Sequence, residues 1–170
     1  LEPALAGGPL KTSRKGIGQY RLAVTGVSAH AGVDPGKGVS AIRELARQIL
    51  AVEALHDLGR GVSVNVGVIA GGTRPNVVAE EAHAVVDVRA PSLEDAAKVD
   101  QAFRALGSQL PGARLVVTGG FERPPMERSA GVAALYAHAQ AAAAALGQTV
   151  AEGGTGGGSD GNFTAALGVP

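Results

Sequence analysis

Val62-Ser63-Val64-Asn65-Val66-Gly67-Val68 is the cleanest alternation in this chain: valine at every even position, small or polar residues between. A period of two puts the valines on one face of a half-buried strand. Gly71-Gly72-Thr73-Arg74-Pro75-Asn76 breaks the pattern. Working outward, Ala84, Val86 and Val88 oppose Val85 and Asp87 in a second strand over residues 83–89. On the N-terminal side, Tyr20, Leu22 and Val24 alternate with Gln19, Arg21 and Ala23 in a strand that ends at Thr25-Gly26. Between them Val39, Ile42, Leu45, Ile49, Val52 and Leu55 recur at three- and four-residue steps, which predicts a helix with Arg43, Glu44 and Arg47 on its polar side. Ser92 is placed to cap a helix over residues 93–110, with Glu94 and Asp95 favouring its positive end. Pro111-Gly112 stops it, and residues 114–118 form a last strand. Strand, helix, strand, strand, helix, strand over about one hundred residues is the split βαβ, ferredoxin-like arrangement. The fold class is α+β.

The flanks have a different character. Residues 3–15, rich in Gly, Pro, Lys and Ser, read as an irregular linker. After Gly120 a proline-bearing connector (Phe121 to Met126) leads to an alanine-rich helix over residues 131–146. A glycine-rich segment, 153–161, then opens a short helical pattern that ends at Leu167. The chain starts at Leu1 and stops at Pro170 inside a patterned region, so it is expected to be an interior piece of a longer protein.

Composition narrows the function. Fifteen Lys and Arg balance fifteen Asp and Glu, which argues against a nucleic-acid or anionic-membrane footprint. No apolar run is long enough to span a bilayer. With no cysteine, any metal would rest on His, Asp or Glu.

As residues alone, the candidates for chemistry stay open. Glu2 reads as an exposed carboxylate near a chain end. His30, in Ser28-Ala29-His30-Ala31-Gly32, sits in a strand-to-helix loop where a local hydrogen-bonding role competes with a catalytic one; its small neighbours let the imidazole project. Arg74-Pro75-Asn76 is either a turn or an amide and guanidinium placed to hold an anion. Arg89 ends a strand, where arginines are usually just solvated. Thr155-Gly156-Gly157-Gly158-Ser159-Asp160 lacks the lysine of the Walker pattern and the spacing of the dinucleotide fingerprint. What survives is a backbone-rich loop able to receive a substrate carboxylate or backbone. His56, His83 and His138 read as structural or solvated. No His and carboxylate pair has convincing metal-ligand spacing.

Taken in order, Leu1-Glu2-Pro3, Gly16-Ile17, Val24-Thr25-Gly26 with the His30 loop, Arg74-Pro75-Asn76-Val77-Val78, Asp87-Val88-Arg89 and Thr155 to Asp160 resemble the glutamate carboxypeptidase branch of the acetylornithine deacetylase and succinyl-diaminopimelate desuccinylase superfamily of two-zinc metallopeptidases. The resemblance spans essentially the whole chain. It implies a ferredoxin-like dimerisation domain over residues 16–119, with catalytic-domain pieces at 1–15, linker included, and at 120–170. It implies a homodimer that hydrolyses a small N-acyl amino acid or peptide with two zinc ions, or cobalt or manganese in their place. Glu2 matches a metal ligand. His30 matches a histidine that reaches across the dimer to stabilise the oxyanion. Asn76, Arg89 and, more loosely aligned, Arg123 match positions near the substrate's terminal carboxylate, and Gly157 and Gly158 match the loop lining the cleft. The family's other metal ligands have no counterpart here, so this piece by itself is expected to bind no metal and to be inactive. The family default for compartment is the cytoplasm. The competing expectation is a stand-alone or non-catalytic ferredoxin-like dimerisation module.

Overall fold

A computed structural model describes residues 3–170. Six strands and four helices follow in the order β1 (Leu10–Arg14), β2 (Gly16–Thr25), α1 (Ala41–Glu53), β3 (Ser63–Gly71), β4 (Glu81–Ala90), α2 (Leu93–Arg104), β5 (Arg114–Arg123), α3 (Ala130–Ala145), β6 (Glu152–Thr155) and α4 (Gly161–Ala166). Two compact units are formed. One comprises residues 18–88 and 97–120; the other comprises residues up to 17, 89–96 and 121–170.

The first unit is built on a four-stranded sheet in the order β3-β4-β2-β5. Of the two central strands, β4 lies beside its sequence neighbour β3 and the more distant β2, whereas β2 lies between two distant partners, β4 and β5, as the split βαβ topology requires. The fold is therefore α+β and ferredoxin-like. Alternation decides which face is buried. Tyr20, Leu22 and Val24 of β2 and Ala84, Val86 and Val88 of β4 are all buried, as are Leu45 and Val52 of α1 and Val99 and Phe103 of α2. Tyr20 stacks on Phe103 with ring centroids 4.0 Å apart. Its hydroxyl donates to Asp100 Oδ1 at 2.7 Å. Burial, then the bond to Asp100 and its charge, push the phenol well above its ordinary range. The odd-numbered residues of β2 and β4 make the sheet's more open face, which carries Arg21, Thr25 and His83.

Helix α1 departs from its expected register. Ser40 caps it, accepting from the Arg43 N–H. Glu44, expected on the polar side, is fully buried, whereas Ile42, expected in the core, is 45% exposed. The reason is a tertiary partner. The Glu44 carboxylate accepts from the Gln109 N–H at 2.9 Å and the Leu110 N–H at 2.8 Å, and from Gln48 Nε2 at 2.6 Å. Burial raises its pKa, but the bonds from Gln109, Gln48 and Leu110, with Arg47 nearby, outweigh it and hold it below the ordinary carboxylate range. Helix α2 accordingly ends at Arg104, short of the expected Leu110, since residues 109–110 give their N–H groups to Glu44. Gly26 closes the loop that follows β2. A side chain there would collide with the Val39 carbonyl, and that approach lets Val27 and Val39 bridge.

In the second unit β1 runs parallel to β6, with an irregularity between Lys11 and Ser13. Residues 10–14, expected to be irregular, are thus a strand: their pairing partner lies far away in sequence. Strand β5 likewise extends to Arg123, beyond the expected Thr118 and into the expected connector. Helix α3, capped by Ser129, buries only Val132 and Ala143, so its alanines carry little packing. No helix among the described residues is long and apolar enough to cross a membrane.

Candidate functional site

The candidates fall into two groups, one in each unit. In the first unit, the loop after β2 pairs with the turn after β3. His30 bridges Val77, the Ala31 N–H donates to the Asn76 carbonyl at 2.9 Å, and the Val78 N–H donates to the Ala29 carbonyl at 2.9 Å. The structure thereby brings together His30 and Asn76, which are 46 residues apart in the chain, both exposed. Within the loop, Nδ1 of His30 accepts from the Gly32 N–H at 3.2 Å. A ring nitrogen that accepts is unprotonated, so in the neutral ring Nε2 carries the hydrogen and is a donor.

Beside this pairing lies an open cleft of about 570 Å³ on the sheet, lined by Arg21, Thr25, Ser28, Thr73, Glu80 and His83 among others. Reading His83 as structural or solvated missed its place in this cleft. The signal was present: His83 alternates with buried Ala82 and Ala84, so it had to face the open side. A second cleft of about 500 Å³ is lined by Ser40, Ile42, Arg74 and Pro75 and shares the Gly71–Thr73 corner with the first.

The second unit holds the glycine loop that follows β6. Two side chains fasten it. Arg14, buried at the end of β1, donates from NH1 to the Gly157 carbonyl at 3.0 Å. Asn162, fully buried, accepts from the Ser159 N–H at 2.9 Å and donates to the carbonyls of Lys15 at 3.2 Å and Pro124 at 2.8 Å. Neither Arg14 nor Asn162 was singled out from sequence, because nothing in their local context distinguishes them from solvated polar residues. Gly157 is exposed and Gly158 half-buried. A side chain at 158 would meet Ile17 Cδ1 at 2.5 Å and Arg123 Cδ at 3.2 Å. Arg123 pairs with Asp160, NH1 to Oδ1 3.2 Å, and its guanidinium lies over the Phe163 ring, 4.9 Å from the centroid. Arg89, half-buried near the end of β4, belongs to this same unit. Glu2 lies outside the described residues. Among those residues no group of three or more His, Cys, Asp or Glu could hold a metal ion.

Comparison with known proteins places this architecture. Residues 12–112 match the model of the peptidase dimerisation domain of the M20 family. Carboxypeptidase G2 of Pseudomonas sp. (strain RS-16) is 31% identical over 176 aligned residues, covering 100% of this chain and 42% of that protein. The uncharacterized protein YqjE of Bacillus subtilis is 32% identical over 156 residues, covering 89% of this chain and 41% of its own. The crystal structure of aminopeptidase PepT from Bacillus cereus superimposes with a TM-score of 0.74 at 28% identity, over 96% of this chain and 44% of that one. The chain spans about two-fifths of the length of these relatives. It belongs to the M20 peptidase family and carries that family's dimerisation domain.

Proposed function

We propose that this chain is the dimerisation domain, about residues 16–119, with flanking catalytic-domain segments, of a homodimeric metal-dependent hydrolase that cleaves the amide bond of an N-acyl amino acid or peptide. The observation that carries the reading is the His30 loop. An exposed imidazole whose Nδ1 is occupied by a backbone N–H offers Nε2–H outward. Such a donor suits the oxygen of a scissile amide, which gains negative charge as the carbonyl carbon becomes tetrahedral. On this reading the histidine of one subunit serves the active site of the other, which gives a dimerisation domain its catalytic residue. Asn76, held beside His30 by backbone pairing, contributes an amide to the substrate. Arg89 and Arg123 supply guanidinium groups for a terminal carboxylate, and Gly157 and Gly158 line the cleft where a side chain would obstruct the substrate.

The described residues do not by themselves fit a metal centre. In the complete enzyme two zinc ions, with cobalt or manganese as substitutes, would activate water and polarise the amide. Glu2 is this chain's candidate ligand. The cytoplasm is the compartment proposed from the family. In the full-length dimer, His30→Ala is expected to lower kcat about a hundredfold or more while leaving KM within a small factor. Unchanged turnover would return the chain to the reading of a dimerisation module without a catalytic residue.

A further inference from the structure

Arg123 is already engaged, and its two partners differ in kind. Its side chain is 34% exposed, with Cδ beside Gly158, where a Cβ would meet it at 3.2 Å, and the guanidinium laid over Phe163. The side chain of Asp160 is 96% exposed, and its carboxylate holds NH1 of Arg123 at 3.2 Å. The cation is therefore seated by packing, whereas the acid rests in water and can swing away without exposing any buried surface. Such a pair is a carboxylate-exchange site: a second carboxylate brought to the same edge of the guanidinium meets the like charge of the first until that one swings away.

We propose that Asp160 is an internal competitor for the substrate's carboxylate at Arg123, and so a specificity-determining residue. The proposal rests on the reading of Arg123 as a carboxylate seat. A ligand bearing a carboxylate replaces Asp160 with a group of equal charge and keeps Arg123 neutralised. A neutral ligand does not compete for the guanidinium and leaves the pair with Asp160 in place. Asp160 thus lowers the affinity for anionic ligands and narrows the preference for them over neutral ones, and Phe163 keeps the guanidinium in place during the exchange.

The test is a resonance titration of the isotopically labelled chain with N-acetylglycine and, separately, with N-acetylglycinamide, which lacks the carboxylate. The Arg123 Nε–H and the Gly157 and Gly158 amides are followed. Asp160→Asn is expected to bind N-acetylglycine about two- to fivefold more tightly than the unaltered chain, the range set by exposed ion pairs. The neutral amide should bind both equally, and Asp160→Glu should restore the unaltered affinity. Arg123→Gln should lose N-acetylglycine binding. Equal or weaker binding of N-acetylglycine by Asp160→Asn, while Arg123→Gln loses it, overturns the competitor role alone. Retention of full affinity by Arg123→Gln would instead show that the carboxylate seat lies elsewhere, and the competitor role would go with it.

Discussion

The two units solve the problem of stability with different means. The ferredoxin-like unit is held by an apolar core in which Tyr20, Leu22, Val86, Val88, Leu45 and Phe103 are all fully buried. The glycine-loop unit buries few large apolar groups, and its functional loop is fastened by hydrogen bonds from Arg14 and Asn162 to backbone atoms. Apolar burial is non-directional and tolerates imprecise geometry, whereas a polar anchor holds particular atoms at particular distances. A scaffold suits the first; a loop proposed to line a substrate cleft suits the second.

That contrast can be broken experimentally. The largest effect is expected for Phe103→Ala, which removes the ring stacked on Tyr20 and should destabilise the ferredoxin-like unit by about 3–5 kcal/mol in denaturant unfolding. Asn162→Ala should cost about 2–3 kcal/mol, felt as faster amide exchange confined to residues 157–162. If instead the loss spread through the ferredoxin-like unit, the two units would not be separately stabilised. Glu44 sharpens the comparison, as a polar anchor set inside the apolar core. Because folding lowers its pKa, it contributes stability above the carboxylate's unfolded pKa, and that contribution disappears as pH falls through the folded value. Glu44→Gln should therefore flatten the acid limb of the stability profile, and an unchanged limb would assign it to other carboxylates. The smallest effects belong to the two helix caps. Ser40→Ala and Ser129→Ala each remove one bond to a backbone N–H and should each cost about 1 kcal/mol. A much smaller loss at Ser129 would show that α3, with only Val132 and Ala143 buried, frays without consequence.

Much of the fold was legible because period-two alternation in β2 and β4 is a direct image of which side chain faces the core. In β3, at the sheet edge, it holds only for Val64 and for Val62 just before the strand, and Val68 is 52% exposed. The His30 loop was legible as a loop, and its resemblance to a known family drew attention to the histidine. Its neighbour was not legible: the bridge to Val77 pairs segments separated by a helix and a strand. Ile42 and Glu44 show the limit within one helix. Periodicity ranks residues by hydropathy, yet a carboxylate fully satisfied by two backbone N–H groups and an amide is a stable core residue, and an isoleucine on an outward face is an ordinary surface one.

The sequence by itself determined the βαββαβ order, the buried faces of the central strands and the glycine-rich character of the loop at residues 153–161, since all three are written in local periodicity and composition. Only the tertiary structure decided that residues 10–14 are a strand, that α2 stops at Arg104, that Arg14 and Asn162 grip the loop, and that Arg123 meets Asp160 and Phe163. Each of these depends on a hydrogen bond or ring contact between residues distant in the chain, and a polar group carries no local mark of the partner that folding will bring to it.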